Sequence, residues 1–148
     1  MKTLFICTAN LCRSVAAEKL LRHYGAAAGL EARSRGTAAG PYGAMPALVR
    51  AFLARAGVTE LEHKPALAAE SDVDWADVIL VMEHRHYEAL AEKFPQSTRK
   101  MHLFMDFCEG TDGTELEDPA GKSREVFDAV LGRIDGAVKK LAAGQNKI

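Results

Sequence analysis

The chain has 148 residues, 48% of them hydrophobic and 26% charged, a length and balance that predict one compact domain over residues 1–148 and exclude fibres and extended disorder. Its 19 Lys and Arg against 20 Asp and Glu leave a formal net charge of -1, so no global field draws it to nucleic acid or anionic lipid, and any anion site has to be built locally. No apolar run approaches the about 20 residues that span a bilayer, and Met1–Cys7 is too short for a secretory signal, so the expected address is cytoplasmic with no membrane partner.

In chain order, Thr3-Leu-Phe-Ile-Cys7 is a short apolar run that predicts a strand, followed by polar Thr8–Ser14 and then by Val15, Ala16, Leu20 and Leu21 at helical spacing. A second strand is expected over Glu31–Ser34, closing near Gly36. A helix over Pro46–Ala56 is expected from the stripe Leu48, Val49, Phe52 and Leu53, ended by Gly57. Ala76-Asp-Val-Ile-Leu-Val-Met82 has the near-continuous apolar character of a parallel strand covered on both faces. Glu83–Lys93 reads as a helix stopped by Phe94-Pro95, and Lys100–Phe104 as the last strand. A turn-rich loop follows from Glu109 to Gly121. Val126, Val130, Ile134, Val138 and Leu141 then line one face of a final helix, with fraying expected beyond Leu141. This alternation predicts an α/β fold, a parallel sheet wrapped by helices, with its working crevice at the carboxyl ends of the strands.

Cys7, Cys12 and Cys108 are too few for a disulfide framework, and there is no second cysteine pair or His-x3-His from which to build a zinc site. Of the three, only Cys7 is followed six positions later by arginine, Arg13. In a strand-to-helix loop the backbone N–H groups of Thr8, Ala9, Asn10, Leu11, Cys12, Arg13 and Ser14 converge, and the helix dipole adds positive potential, which makes a socket for a tetrahedral dianion. Phosphate is its natural guest. A thiol in that field is held as the thiolate and is nucleophilic at neutral pH. Arg13 has the planar fork needed to grip two oxygens of an in-line transition state. Ser14 can donate to the sulfur, and Asn10 can tie the loop to itself. A departing alkoxide or phenoxide also needs an acid. Asp118-Pro119, the one Asp-Pro pair, lies in the long loop where it can reach over the socket.

These residues, Cys-x5-Arg-Ser after the first strand and Asp-Pro before the last helix, resemble the low-molecular-weight protein tyrosine phosphatase family, in its bacterial form. Ser34-Arg-Gly-Thr37, His63, the Ala76–Met82 strand and Asp-Pro-x-Gly-Lys-Ser extend the resemblance across nearly the whole chain. It implies a four-stranded parallel sheet with helices on both faces, hydrolysis without metal or cofactor, a phosphocysteine on Cys7, and Asp118 as acid and then base. It implies also that Ser34 and His63 brace Asn10, and that Cys12 forms a protective disulfide with Cys7 under oxidants. The implied partners are phosphotyrosine proteins or peptides, with inorganic phosphate released.

Three positions depart from the family pattern. Val15 replaces a helix-opening proline, and Arg35 a small residue. Ala120 stands where tyrosine-specific members carry an aromatic wall, removing stacking worth about 0.5–1.5 kcal/mol. Tyr42, in Gly40-Pro-Tyr-Gly43, is a candidate replacement wall. Leu11 is the bulky aliphatic of tyrosine-directed members, where phosphoarginine-directed relatives have threonine. Protein arginine phosphatase remains the alternative within the family. A thiol-dependent arsenate reductase would need two further cysteines to relay a disulfide, and only Cys108 is available. A phosphoprotein-binding module without activity would keep the socket and lose the acid. His84 and His86 read as a solvated pair, Trp75 as a core anchor, and Cys108 as packing.

Overall fold

The computed structural model describes residues 1–144. Strand β1 (Lys2–Cys7) sorts its side chains by strict alternation, Phe5 and Cys7 entering one apolar core and Leu4 and Ile6 another. Strand β3 (Val78–Val81) does the same, with Val78 and Leu80 on the first side and Ile79 and Val81 on the second. These two strands, buried except at Lys2, occupy the middle of a four-stranded, all-parallel sheet of order β2-β1-β3-β4, whose edges are β2 (Glu31–Gly36) and β4 (Met101–Leu103). The pairing Cys7↔Gly36 ends the β1–β2 ladder. Because the chain leaves β1 for one neighbour and later returns to the other, the crevice outside the ends of β1 and β3 is the topological switch point, where open α/β sheets bind ligands.

One face is covered by α1 (Arg13–Tyr24), α2 (Ala47–Arg55), α5 (Phe104–Glu109) and α6 (Arg124–Ala142). Their Val15, Leu20, Val49, Leu53, Phe104, Val130, Ile134 and Val138 join the first core. Phe104 meets Phe5 edge-on at 5.8 Å between centroids. The other face is covered by α3 (Glu70–Trp75) and α4 (His84–Lys93) through Val73 and Leu90. Among the described residues no helix is long and apolar enough to cross a membrane.

The expected strands and long helices are present, with different ends. α1 begins at Arg13, earlier than the apolar stripe indicates, which puts Arg13 and Ser14 in its first turn. The third strand is shorter than Ala76–Met82 because Ala76 closes α3 and Asp77 turns its carboxylate onto the Lys2 N–H at 2.8 Å. Helices α3 and α5, six residues each, are too short to show a period and went unread. Trp75 is a correction. It is half-buried at the edge of the second core, with the Arg33 guanidinium 4.2 Å above its ring. The helix α6 continues to Ala142, and the expected fraying beyond Leu141 falls largely outside the described residues.

Gly36 marks where the sheet meets the loop after β1. A Cβ there would stand 2.4 Å from the Thr8 carbonyl oxygen and 3.1 Å from the Asn10 nitrogen. Both are backbone atoms of a clamped segment and cannot yield cheaply. Gly36→Ala is therefore expected to cost about 1–3 kcal/mol, read as a lower urea midpoint at unchanged slope; an unshifted midpoint would show that the loop gives way freely.

Candidate active site

Cys7 ends β1, 3% exposed, and its Sγ lies 2.9 Å from Ser14 Oγ in the first turn of α1. The neighbours of that bond leave the Ser14 hydrogen free for the sulfur. Asn10 Nδ2 donates to Ser14 Oγ at 2.9 Å and to Ser34 Oγ at 2.9 Å, and Ser34 passes its own hydrogen to Glu18 Oε1 at 2.6 Å. Ser14 thus accepts from Asn10 and has its O–H available to donate to the sulfur.

The loop between them is bent by Asn10, fully buried at φ 59°, the only non-glycine residue with positive φ among those described. Asparagine tolerates this left-handed conformation better than most residues, and here its side-chain amide and its carbonyl oxygen are all engaged. Its Oδ1 accepts the Ala66 N–H at 3.0 Å, and its carbonyl oxygen accepts His63 Nε2 at 2.6 Å. The chain beyond β2 clamps the loop from outside, Thr37 N–H to Cys7 O and Ala38 N–H to Thr8 O, both at 2.9 Å. Ser34 and His63, separated by 29 positions, thus meet on one asparagine. Cys12 is the N-cap of α1 and makes no side-chain capping bond, so the helix leaves its first-turn N–H groups for the socket.

Arg13 is 2% exposed and its guanidinium is committed on one side. Nη1 donates to Glu83 Oε2 at 2.6 Å and to the Leu116 carbonyl at 2.7 Å, which uses both of its hydrogens. Nε and Nη2 remain as the bidentate edge. Nη2 is also 3.7 Å from Asp118 Oδ2. The Asp118 side chain is 41% exposed, at the rim, and its Oδ1 accepts the Ala120 N–H at 3.0 Å. The long loop that carries Asp118 is pinned to the sheet by fully buried Leu116, whose N–H bonds to Met82 O at 2.9 Å.

Glu83 and Leu116 were not singled out from the sequence. Both carried a signal: Glu83 directly follows the most apolar strand, on the crevice side, and Leu116 is the lone large apolar residue in a polar loop. His86 is a correction. Read as solvated, it is 1% exposed and bridges two segments: Glu83 N–H donates to Nδ1 at 3.1 Å, so the ring proton sits on Nε2 and is donated to Thr8 Oγ1 at 2.8 Å. Helical spacing did separate the two imidazoles, and His84 is exposed; the sequence could not show that Thr8 would cover the inward-facing one.

Electrostatics follow these contacts. Burial, with the Arg13 charge beside it, pushes His86 down to about 4, so it is neutral. Burial raises the Glu83 carboxyl, but hydrogen bonds from Arg85 and Arg13 outweigh it and hold Glu83 below the ordinary glutamate range. Burial and the adjacent Cys7 push the Cys12 thiol up to about 12. Cys108, fully buried and also raised to about 12 chiefly by burial, gives the disulfide relay of an arsenate reductase no surface terminus. Tyr42 is 89% exposed, and its loop approaches the site through Gly43, packed on Leu11. Arg35 faces away, its Nε 3.0 Å from Asp72 Oδ2. The roomier clefts, about 420 Å3 beside Tyr24 and Phe52 and about 410 Å3 beside Lys19 and Glu60, do not include the loop of Cys7. A socket for one tetrahedral anion is small by comparison.

Comparison with known proteins agrees with this geometry. The family model described as low molecular weight phosphotyrosine protein phosphatase matches residues 2–147. The low molecular weight protein-tyrosine-phosphatase Wzb of Salmonella typhi is 33% identical, covering 98% of this chain and 94% of its own. The protein-arginine-phosphatase of Geobacillus stearothermophilus is 30% identical, covering 95% and 93%. Among solved structures, the low molecular weight protein tyrosine phosphatase of T. tengcongensis superposes with a TM-score of 0.88 at 29% identity, covering 97% of this chain and 99% of its own. The YwlE arginine phosphatase, as a cysteine-to-serine mutant with a phosphorylated active-site serine, gives 0.89 at 25% identity, covering 97% and 95%.

His86 makes stability depend on pH. The unfolded chain takes up its proton at about 6.5 and the folded chain only at about 4, so the unfolded state binds more protons between those values and stability falls as pH drops through that window. The contribution is complete above the upper value, and up to about 3 kcal/mol of it is lost at the lower. His86→Gln, which cannot titrate, is expected to show a shallower fall in unfolding free energy between pH 7 and pH 4. The difference curve isolates this group from the carboxylates, and parallel curves would remove His86 from the account.

Proposed function

Because the chain belongs to the low molecular weight phosphotyrosine protein phosphatase family, we propose that it hydrolyses phosphotyrosine in proteins, with Cys7 as nucleophile, Arg13 as transition-state clamp and Asp118 as general acid and base. The observation that carries this reading is the commitment of Arg13. With Nη1 locked between Glu83 and Leu116, the Nε and Nη2 edge is presented without further reorganisation to oxygens of a phosphate seated over Cys7.

The dianion is received by the N–H groups of Thr8 to Ser14. Sγ attacks phosphorus in line while the bond to the tyrosine oxygen breaks, and Asp118, at the rim beside Arg13 Nη2, gives that oxygen its proton. Water then attacks the phosphocysteine. Asp118, now a carboxylate, takes a proton from it, and the departing sulfur is stabilised as thiolate by the Ser14 hydroxyl. Inorganic phosphate leaves. The phosphorylated serine of the YwlE mutant, one atom different from cysteine at the same kind of site, supports a covalent intermediate. No step calls on a metal.

Relatives named for tyrosine and for arginine are of similar identity, so their names do not decide the substrate. Leu11, the bulky aliphatic at the pocket floor, favours a phenol. Cys12 is proposed as the reserve thiol: a Cys7 sulfenic acid would condense with it to a disulfide, releasing water. A reducing cytoplasm is the compartment in which such a cysteine stays active.

Cys7→Ser is expected to abolish steady turnover of para-nitrophenyl phosphate while leaving the unfolding transition in place; unchanged turnover would exclude Cys7 as nucleophile. Asp118→Ala is expected to lose about 100-fold or more on substrates with poor leaving groups and far less on those whose phenol is acidic. A loss independent of leaving-group acidity would take the acid role from Asp118.

A further inference from the structure

Arg85, in the first turn of α4, has 55% of its side chain exposed, yet it is held in place. Its Nε donates to Glu83 Oε1 at 3.2 Å and its Nη2 to Glu83 Oε2 at 3.0 Å, a fork-to-fork pair that fixes the guanidinium plane. Glu83 is in turn fixed by Arg13. Arg85 Nη2 lies 4.0 Å from Asp118 Oδ2, the same oxygen that Arg13 Nη2 approaches to 3.7 Å. One carboxylate oxygen is therefore flanked by a guanidinium on the floor of the site and another at its rim. Of the other carboxylates of that loop, Glu115 accepts the His84 N–H at 2.7 Å and adds its charge to the field at Arg85, and Glu117 pairs with Lys122 at 2.8 Å.

The leaving atom of a substrate must sit between phosphorus, held by Arg13, and Asp118, which protonates it. The group that carries this atom passes Arg85. We propose that Arg85 is a specificity-determining residue that favours an aromatic leaving group and rejects a cationic one; this rests on the placement of Asp118 as acid given above. A planar guanidinium held by its edge is a stacking partner for a phenol ring. Ala120, two positions after Asp118, offers no aromatic wall. A guanidine leaving group, by contrast, becomes a second guanidinium when Asp118 protonates it, so that two like charges face each other a few ångströms apart with Asp118 already flanked. Both effects act in the same direction, toward phosphotyrosine and away from phosphoarginine.

The test compares kcat/KM of the parent enzyme, Arg85→Ala and Arg85→Lys on one peptide carrying either phosphotyrosine or phosphoarginine, with the inhibition constant of inorganic phosphate measured alongside. Arg85→Ala is expected to lose about three- to tenfold on phosphotyrosine and to move the ratio of the two substrates about tenfold or more toward phosphoarginine. Phosphate inhibition should be unchanged, because Arg13 keeps Glu83 and Leu116. Arg85→Lys, which keeps the charge and loses the plane, should still reject phosphoarginine while losing part of the gain on phosphotyrosine. An unchanged ratio in Arg85→Ala overturns the proposal. So does a parallel loss on both substrates with weaker phosphate inhibition, which would mean that Arg85 acts only through Glu83 on the socket. The parent enzyme's own ranking of the two substrates tests the substrate reading separately, since the shift in ratio is expected whichever ranks first.

Discussion

A guanidinium that is 2% exposed has to be paired, and the way Arg13 is paired organises the whole site. Its Nη1 joins three segments far apart in the chain: α1, the end of β3 through Glu83, and the long loop through Leu116. Those segments meet only because β1 and β3 are neighbours in a parallel sheet and because Leu116 hydrogen-bonds to Met82 at the end of β3. The fold thus does more than carry a loop. The strand order places a carboxylate and a carbonyl where they must be for one edge of the arginine to be held and the other presented. If either partner were lost, a buried charge would remain with an open hydrogen, which destabilises the site more than the pair stabilises it.

Asn10 shows the same logic in the backbone. A left-handed residue is unfavourable alone, and it persists when its surroundings over-determine it. Ser14, Ser34, Ala66 and His63 together do so. The network ends on Glu18, buried and paired with Arg22 at 3.3 Å. Little net stability comes from such polar groups. The two apolar cores on either side of the sheet supply the stability, and the network selects one loop conformation among those the cores would tolerate.

Much of this was legible in the sequence, and the legible part is the local part. Cys7 to Arg13 is a contiguous segment in which residue type and spacing already state the chemistry, and the strand before and helix after are strongly patterned. The α/β alternation was readable for the same reason, since β1 and β3 are near-continuous apolar runs and α6 repeats its apolar stripe several times. What escaped was short or tertiary. Helices α3 and α5 have six residues each, less than two turns. Glu83, Leu116 and His86 owe their roles to partners about 70 to 100 positions away, and the local signals at Glu83 and Leu116 do not name those partners. Trp75 missed the core centre because its ring is used by Arg33 at the sheet edge, a contact decided by the position of β2.

Glu83 serves two arginines with the same carboxylate, and this has a consequence for how activity and selectivity vary together. Oε2 holds Arg13, which faces the phosphate, and both oxygens hold Arg85, which faces the group that leaves. A change at Glu83 therefore disturbs the clamp and the rim at once. A change at Arg85 removes only the rim contact, because Arg13 retains Glu83 Oε2 and the Leu116 carbonyl. The two functions are coupled through the carboxylate and separable at the outer arginine, so selectivity among leaving groups can drift at position 85 while the buried clamp, and the phosphoryl chemistry that depends on it, stays fixed.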